Sequence, residues 1–319
     1  MTTRDRYREL CADRLDVPLF QQAWWLDATC GVEGWNVALS LRDGRIVGAL
    51  PFADTRRFGL RVLTQPALTQ FLGPWIAPTT AKTAERLGRE KDILEELIAQ
   101  LPPYAHYSQA WNTSMTNWLA FHWAGFNQTT RYTYVIDNLC DEATVWSRFQ
   151  SKVRGDVRKA GLRFSVRLRA EPTLDAFVAV NNKTFERQGI CVPYSRGYLA
   201  RLDEVCASRG QRKIFLAEDA DGRVHAGAYI VWDSDRAYYL AGGGDPDLRN
   251  SGATSYCLWE AIRFAATVSR TFDFEGSMME PVERFFRGFG AEQVPYFHLT
   301  RTPSPLLRVR AALLSLRTL

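Results

Sequence analysis

The chain has four histidines, His106, His122, His225 and His298, each in a different segment. A closed zinc site needs about four nitrogen or sulfur ligands brought together by short spacings. The scatter therefore argues against a metal site and leaves little room for a Ser/His/Asp triad. The six cysteines (Cys11, Cys30, Cys140, Cys191, Cys206 and Cys257) form no Cys-x-x-Cys pair and have no histidine at ligand spacing. They are expected to be reduced and structural in a cytosolic chain. No apolar run approaches the ~20 residues that span a bilayer, and residues 1–6 lack the apolar core of a signal peptide, so the expected location is cytoplasmic.

What is present is ordinary for a globular chain: 319 residues, 46% hydrophobic and 24% charged, enough for two domains that each bury a core. The net charge of +5 admits an acidic partner such as tRNA, a nucleotide substrate or an anionic lipid headgroup, and does not call for stable DNA binding.

The densest pattern lies between residues 213 and 299. It reads as strands at 213–219, 226–233 and 236–240, a Gly-rich loop at 242–252, a helix at 253–269, a strand at 271–274, a short helix at 281–287 and a closing strand at 294–300. The first half gives helices at 7–14, 20–30, 80–101 and 117–123. Its strands fall at 35–41, 46–52, 60–63, 71–76, 104–111 and 131–136. Residues 141–160 read as an amphipathic helix and 175–188 as another.

Two segments repeat. Residues 38–49, with Asp43-Gly44 at a hairpin turn, parallel 215–228, with Asp221-Gly222. Trp123-Ala124-Gly125-Phe126 parallels Phe286-Arg287-Gly288-Phe289 in the same order. Two ordered matches imply a duplicated fold.

Three motifs bear on chemistry. Arg249-Asn250-Ser251-Gly252-Ala253-Thr254 opens a helix, either as a plain N-cap or as a cradle for an anion. Phe272-Asp273-Phe274-Glu275-Gly276 ends a strand, where two carboxylates at i and i+2 are expected on one face. They read either as groups that orient or deprotonate an attacking ammonium, or as a helix cap or partners of Arg284 or Arg287. Lys152, Arg154, Arg158, Lys159 and Arg163 crowd one helix, either as a solvated face or as a phosphate-contacting surface.

These motifs, with 151–161, 184–189 and Phe285-Phe286-Arg287-Gly288-Phe289-Gly290, resemble the GNAT superfamily, in the branch of Fem-like and BioF2-like acyltransferases. Phe286 stands where many Fem-like members have Lys. The resemblance implies an α/β (α+β) chain of two tandem GNAT-like domains, each a mixed, mostly antiparallel sheet flanked by helices. The bounds are 1–140, 141–305 with the active site, and an amphipathic tail at 306–319 that packs on the domain or meets a membrane peripherally. It also implies an N-acyltransferase taking an aminoacyl or acyl group from aminoacyl-tRNA or acyl-CoA, without a metal. The acceptor is an amine on a cell-wall precursor, sugar or small metabolite, bound between the domains. In this reading Asp273 and Glu275 are catalytic. Arg249, Ser251, Gly252, Ala253, Thr254 and Arg287 bind the donor, and Arg187, Tyr194, Arg196, Tyr198 and Tyr239 bind the acceptor. Lys152, Arg154, Arg158 and Lys159 form the tRNA surface. The other classes are a catalytically inactive GNAT-fold scaffold in polysaccharide or envelope assembly, and an RNA-binding module.

Overall fold

The computed structural model describes residues 1–276 and 278–315, with side chains through Arg310. Its elements run α1 (Thr3–Asp13), α2 (Ala23–Cys30), β1 (Trp35–Arg42), β2 (Arg45–Arg57), β3 (Leu60–Thr64), β4 (Trp75–Ile76), α3 (Thr83–Ala99), β5 (His106–Ala110), α4 (Leu119–Trp123) and β6 (Asn127–Ile136). The second half runs α5 (Glu142–Arg148), α6 (Ser151–Phe164), β7 (Arg167–Leu168), α7 (Leu174–Gln188), α8 (Arg196–Ser208), β8 (Arg212–Glu218), β9 (Val224–Trp232), β10 (Arg236–Gly244), α9 (Ala253–Ala265), β11 (Thr271–Asp273), α10 (Glu280–Arg287), β12 (Glu292–Arg301) and α11 (Pro305–Ser315). Among the described residues no helix is long and apolar enough to cross a membrane.

The chain folds as two compact units, residues 1–131 with 295–319, and residues 132–294. In the first, β1, β2 and β3 are antiparallel, β3 pairs parallel with β5, and β5 pairs antiparallel with β12. In the second, β8, β9 and β10 are antiparallel, β10 pairs parallel with β11, and β11 pairs antiparallel with β6. The two units therefore share one mixed, mostly antiparallel topology flanked by helices, as the repeat implies. The repeat extends to irregularities: β2 bulges at Val47 opposite Ser40 and Leu41 of β1, and β9 bulges at His225 opposite Ala217 and Glu218 of β8, at matched positions. Asp43 (φ 50°) and Gly44 (φ 75°) both sit in the left-handed region that a tight hairpin turn demands.

The expected boundaries at 140 and 305 give way to a strand exchange. β6 ends on β11 of the second unit, and β12, read from sequence as the second domain's closing strand, ends on β5 of the first. A closing strand pairs wherever a free edge exists, and sequence proximity does not fix which edge that is.

Helix α3 shows local rules at work. Ile93, Leu94 and Leu97 are buried at helical spacing while its other face is charged, and Pro102-Pro103 follows its end. Elsewhere the structure departs from expectation. The strand expected at 71–76 shrinks to Trp75–Ile76 after Gly73-Pro74, and α8 forms in a segment with no expected helix. The helix expected at 141–160 breaks into α5 and α6 at Phe149-Gln150, where the Gln150 N–H donates to the Gly288 carbonyl at 2.9 Å. In the tail, Leu306 and Val309 are exposed and the Arg310 guanidinium lies 4.6 Å from the Phe58 ring. Residues 316–319 of that expected helix lie outside the described residues.

His298 on β12 links the first unit to pH. Burial first, then the charges of Arg131 and His106, hold its ring at a pKa of about 4, below the ordinary 6.5. Its Nε2 sits 3.0 Å from Ser108 Oγ. Protonation thus favours the unfolded chain, so stability present above about pH 6.5 is lost as the pH falls through about 4. Replacing His298→Gln is expected to remove on the order of 2 kcal/mol of that acid-side loss, after allowing for solvent screening of a half-buried ring. Denaturant unfolding at stepped pH measures it, and an unchanged acid limb would refute the assignment.

Candidate active site

The second unit contains a cleft of about 780 Å³. Its origin lies in how β10 leaves β11. The parallel ladder pairs Arg236, Ala237 and Tyr238 with Thr271, Phe272 and Asp273, and stops there. β10 runs on to Gly244, bulging against β9 between Tyr239 and Ala241, while β11 has already ended. Backbone groups on the β11-facing edge beyond Tyr238 have no strand partner among the described residues, so a wedge opens there and α7 side chains take up part of its donors and acceptors. The loop expected to begin at Gly242 is therefore strand through Gly244.

Glycines line the wedge for identifiable reasons. A Cβ on Gly243 would lie 2.7 Å from the Asn181 Cα and the Val180 carbonyl, so β10 and α7 approach as closely as backbones can. Asn181 Nδ2 donates to the Gly242 carbonyl at 2.8 Å, and the Gly244 N–H donates to Thr184 Oγ1 at 3.0 Å. The polar run Asn181–Thr184 inside α7 was the available sequence signal for this buttress, and sequence reasoning missed it. Asp245, buried at the end of β10, pairs with Lys183. Burial pushes its carboxyl up, but the Lys183 hydrogen bond and the Asp247 N–H outweigh that and hold it below the usual range.

Of the expected donor residues, Arg249, Gly252 and Thr254 line the cleft. Gly252 has φ 80°, and a Cβ there would meet the Asp156 carbonyl at 2.3 Å, so α6 packs against this turn. Ser251 is buried and its Oγ accepts from the Ala253 N–H at 3.3 Å, so these two shape the turn from within. Arg287 is exposed and pairs with Glu283 at 2.9 Å, outside the cleft lining. Phe286, buried, lines the cleft and packs edge-on against Tyr239 with ring centroids 6.0 Å apart.

Of the expected acceptor residues, Arg187 and Tyr239 line the cleft. Tyr239 is half-buried, and burial pushes its phenol well above the ordinary range. Tyr194 lies behind the glycine run and donates to Asn181 Oδ1 at 3.0 Å. Burial and then the Glu275 charge push it up to about 12. Arg196 pairs with Asp175 on the surface, and Tyr198 stacks on Tyr194. On α6, Arg154 donates to the Ser147 and Phe149 carbonyls, Arg158 lies 5.6 Å from the Trp146 ring and Lys159 pairs with Asp156 at 2.9 Å. Lys152 instead lines an adjoining cavity of about 510 Å³, together with Arg284.

The two carboxylates part company. β11 ends at Asp273, and Glu275 takes φ 59°, so strand alternation does not carry to it and the expectation of a shared face fails. Asp273 is fully buried. It pairs with Arg236 at 3.0 Å, takes a hydrogen bond from the Thr133 hydroxyl and accepts the Glu275 N–H at 2.8 Å. Burial raises its carboxyl despite those three partners. Burial and then the Asp273 charge push the half-buried Glu275 well above the carboxylate range. Asp273 thus holds the strand end, Glu275 stands near Tyr194 and Tyr238, and neither carboxylate lines the cleft.

A Cβ on Gly242 would fall 1.7 Å from the Tyr239 hydroxyl, the far end of a side chain that can swing away. Gly242→Ala should displace Tyr239 into the cleft, leaving the melting temperature within a few degrees of the parent while donor affinity falls roughly tenfold or more. Loss of folding in that variant, or unchanged affinity, would contradict the geometry. By contrast Asp273→Ala breaks the buried pair with Arg236 and removes the acceptor of the Thr133 hydroxyl, and should cost about 3–5 kcal/mol in denaturant unfolding.

Residues 147–287 match the family model described as Acetyltransferase (GNAT) domain. A comparison with curated proteins found no match. Among solved structures, FemX is similar with a TM-score of 0.67 at 13% identity, covering 93% of this chain and 96% of that one. The C-terminal domain assigned to a lysylphosphatidylglycerol synthetase from Agrobacterium fabrum gives 0.57 at 12% identity, over 98% of this chain and 97% of that one. A tandem GNAT protein from the clavulanic acid biosynthesis pathway gives 0.54 at 12% identity, over 94% of both. At 12–13% identity the likenesses to solved structures show the fold alone, and the acetyltransferase description comes from the family match over residues 147–287. The splayed strands, the paired topology and these likenesses give the chain a tandem GNAT fold, with a match to the acetyltransferase (GNAT) domain over residues 147–287.

Proposed function

We propose that the protein is an N-acyltransferase that moves an acyl group from a thioester donor, acyl-CoA, directly to an amine without a metal. The observation that carries this reading is the open wedge beyond Tyr238, which leads past three glycines to the start of α9. Backbone N–H groups along such a wedge bind the donor carbonyl and stabilise the oxyanion that forms on attack. The start of α9, whose N-cap Gly252 offers no side chain to the first turn, has Arg249 and Thr254 beside it and suits the donor's phosphates. The amine attacks the carbonyl carbon, a tetrahedral intermediate forms, and it collapses with release of the thiolate. Glu275, which stands beside Tyr194 and Tyr238 and outside the cleft lining, takes the amine's proton by way of water, and Asp273 positions it through the hydrogen bond to its N–H. Tyr239, kept protonated by burial, donates to the departing sulfur. Phe286 gives the cleft an apolar wall where a Lys would have offered a charge.

An aminoacyl-tRNA donor is the second reading, favoured by Lys152 and Arg284 around the adjoining cavity. It is weakened by the intramolecular use of Arg154, Arg158 and Lys159. The acceptor class stays that of amines on a cell-wall precursor, sugar or small metabolite, and the cytoplasm suits such a supply.

Melting curves with acetyl-CoA, free CoA and bulk charged tRNA separate the readings, because a ligand of the folded state raises the melting temperature with its concentration. A shift with CoA species that Gly242→Ala abolishes is the expected result. A shift with charged tRNA alone would transfer the proposal to the second donor, and silence from all three would leave a scaffold. Tyr239→Phe and Glu275→Gln should each lower kcat about 10²-fold or more at near-parental stability.

A further inference from the structure

The first unit holds a cavity of about 260 Å³ that acyl transfer in the second unit does not use. It is lined by the segment after α1, the residues following β4, the first turns of α3 and the turn after β5. Counted along the repeat, these are the positions that enclose the larger cleft: the end of α7, the loop after β10, the start of α9 and the segment after β11. The duplication therefore carries a cavity at the same topological place, with different walls. Where the second unit has a glycine run, the first has Trp75, Pro74 and Pro78.

Gln21 lines this cavity and is 1% exposed. Its Nε2 donates to the Leu72 carbonyl at 2.9 Å. A carbonyl can only accept, so the amide orientation is fixed and Oε1 points the other way. That oxygen has no hydrogen-bond partner among the described residues. Buried acceptors are nearly always paired, so an outside donor is implied. The charges nearby are unbalanced. Arg86 pairs with Glu90 at 2.6 Å, and Asn117 Nδ2 occupies the other Glu90 oxygen at 3.0 Å. Asp16 is held by Arg14 at 2.6 Å. Arg89, half-buried at the cavity wall, makes no ion pair among the described residues. A trapped water would satisfy Gln21 but would bring no charge to Arg89.

We propose that this cavity is a binding site for a small carboxylate carrying an N–H or O–H donor, of the size and chemistry of a single α-amino acid. The carboxylate sits on Arg89 and the donor on Gln21 Oε1, with Trp75 and Met115 as the apolar wall.

The test uses the full chain and the individual proteinogenic L-amino acids as probes, read by saturation-transfer NMR and then calorimetry, with the matching decarboxylated amines as controls. At least one amino acid should bind at millimolar concentration or tighter, and its amine should not. Arg89→Ala should weaken binding roughly tenfold or more, as expected for loss of a charged hydrogen bond. Gln21→Leu should do the same. Because Gln21 also anchors Leu72, the half-exposed Arg89 keeps the test valid if Gln21→Leu does not fold. Gly242→Ala, in the other unit, should leave the affinity unchanged. Binding that survives both first-unit substitutions, binding lost in Gly242→Ala, or no binding by any probe would each overturn the proposal.

Discussion

The second unit depends on one buried ion pair. Asp273 and Arg236 meet 3.0 Å apart at opposite ends of the short parallel ladder between β10 and β11. The Thr133 hydroxyl on β6 joins them, so a single carboxylate ties three strands together. Such a pair gains little net stability against an apolar substitute, yet either half alone would be severely costly. Its value is geometric. It fixes where the ladder stops, and the wedge that forms the cleft begins one residue later.

From that fixed point the cleft follows by exclusion of bulk. Gly243 lets β10 touch α7 and Gly252 lets the turn before α9 touch α6; a methyl group at either place would collide with backbone. Between them, Tyr239 lies across Gly242 and against Phe286, so the one phenol in the lining is held by packing. An apolar wall beside backbone groups lowers the local dielectric, which strengthens the hydrogen bonds made there, such as those of Asn181 and Thr184.

Duplication then supplied the same frame twice. Both units carry the antiparallel triplet, the following parallel strand and even the matched bulge, but they fill the wedge differently. The second opens it with glycines. The first narrows it with prolines and tryptophan and lines it with arginines, which changes what can bind without changing the scaffold.

The repeat, the hairpin turns, α3 and the Arg249–Thr254 helix opening were legible because each is a local pattern: period, turn residue or cap. So was the class of fold, since two ordered repeats and a glycine-marked loop constrain topology strongly. The roles of Asp273 and Glu275 were not legible as a pair, because strand alternation holds only while the strand lasts, and β11 ends at Asp273. Nor did the basic look of α6 reveal that Arg154, Arg158 and Lys159 lie against carbonyls, a ring and a carboxylate of the same unit. The exchange of β6 and β12, the Asn181 buttress and the unpaired Gln21 oxygen all join residues at least 50 positions apart. Sequence alone determined the repeated frame and its turns, which short-range backbone preferences set. Which edges pair, which charges are buried and which cavities stay open were decided only in the tertiary structure, where burial and close packing act between residues that are distant along the chain.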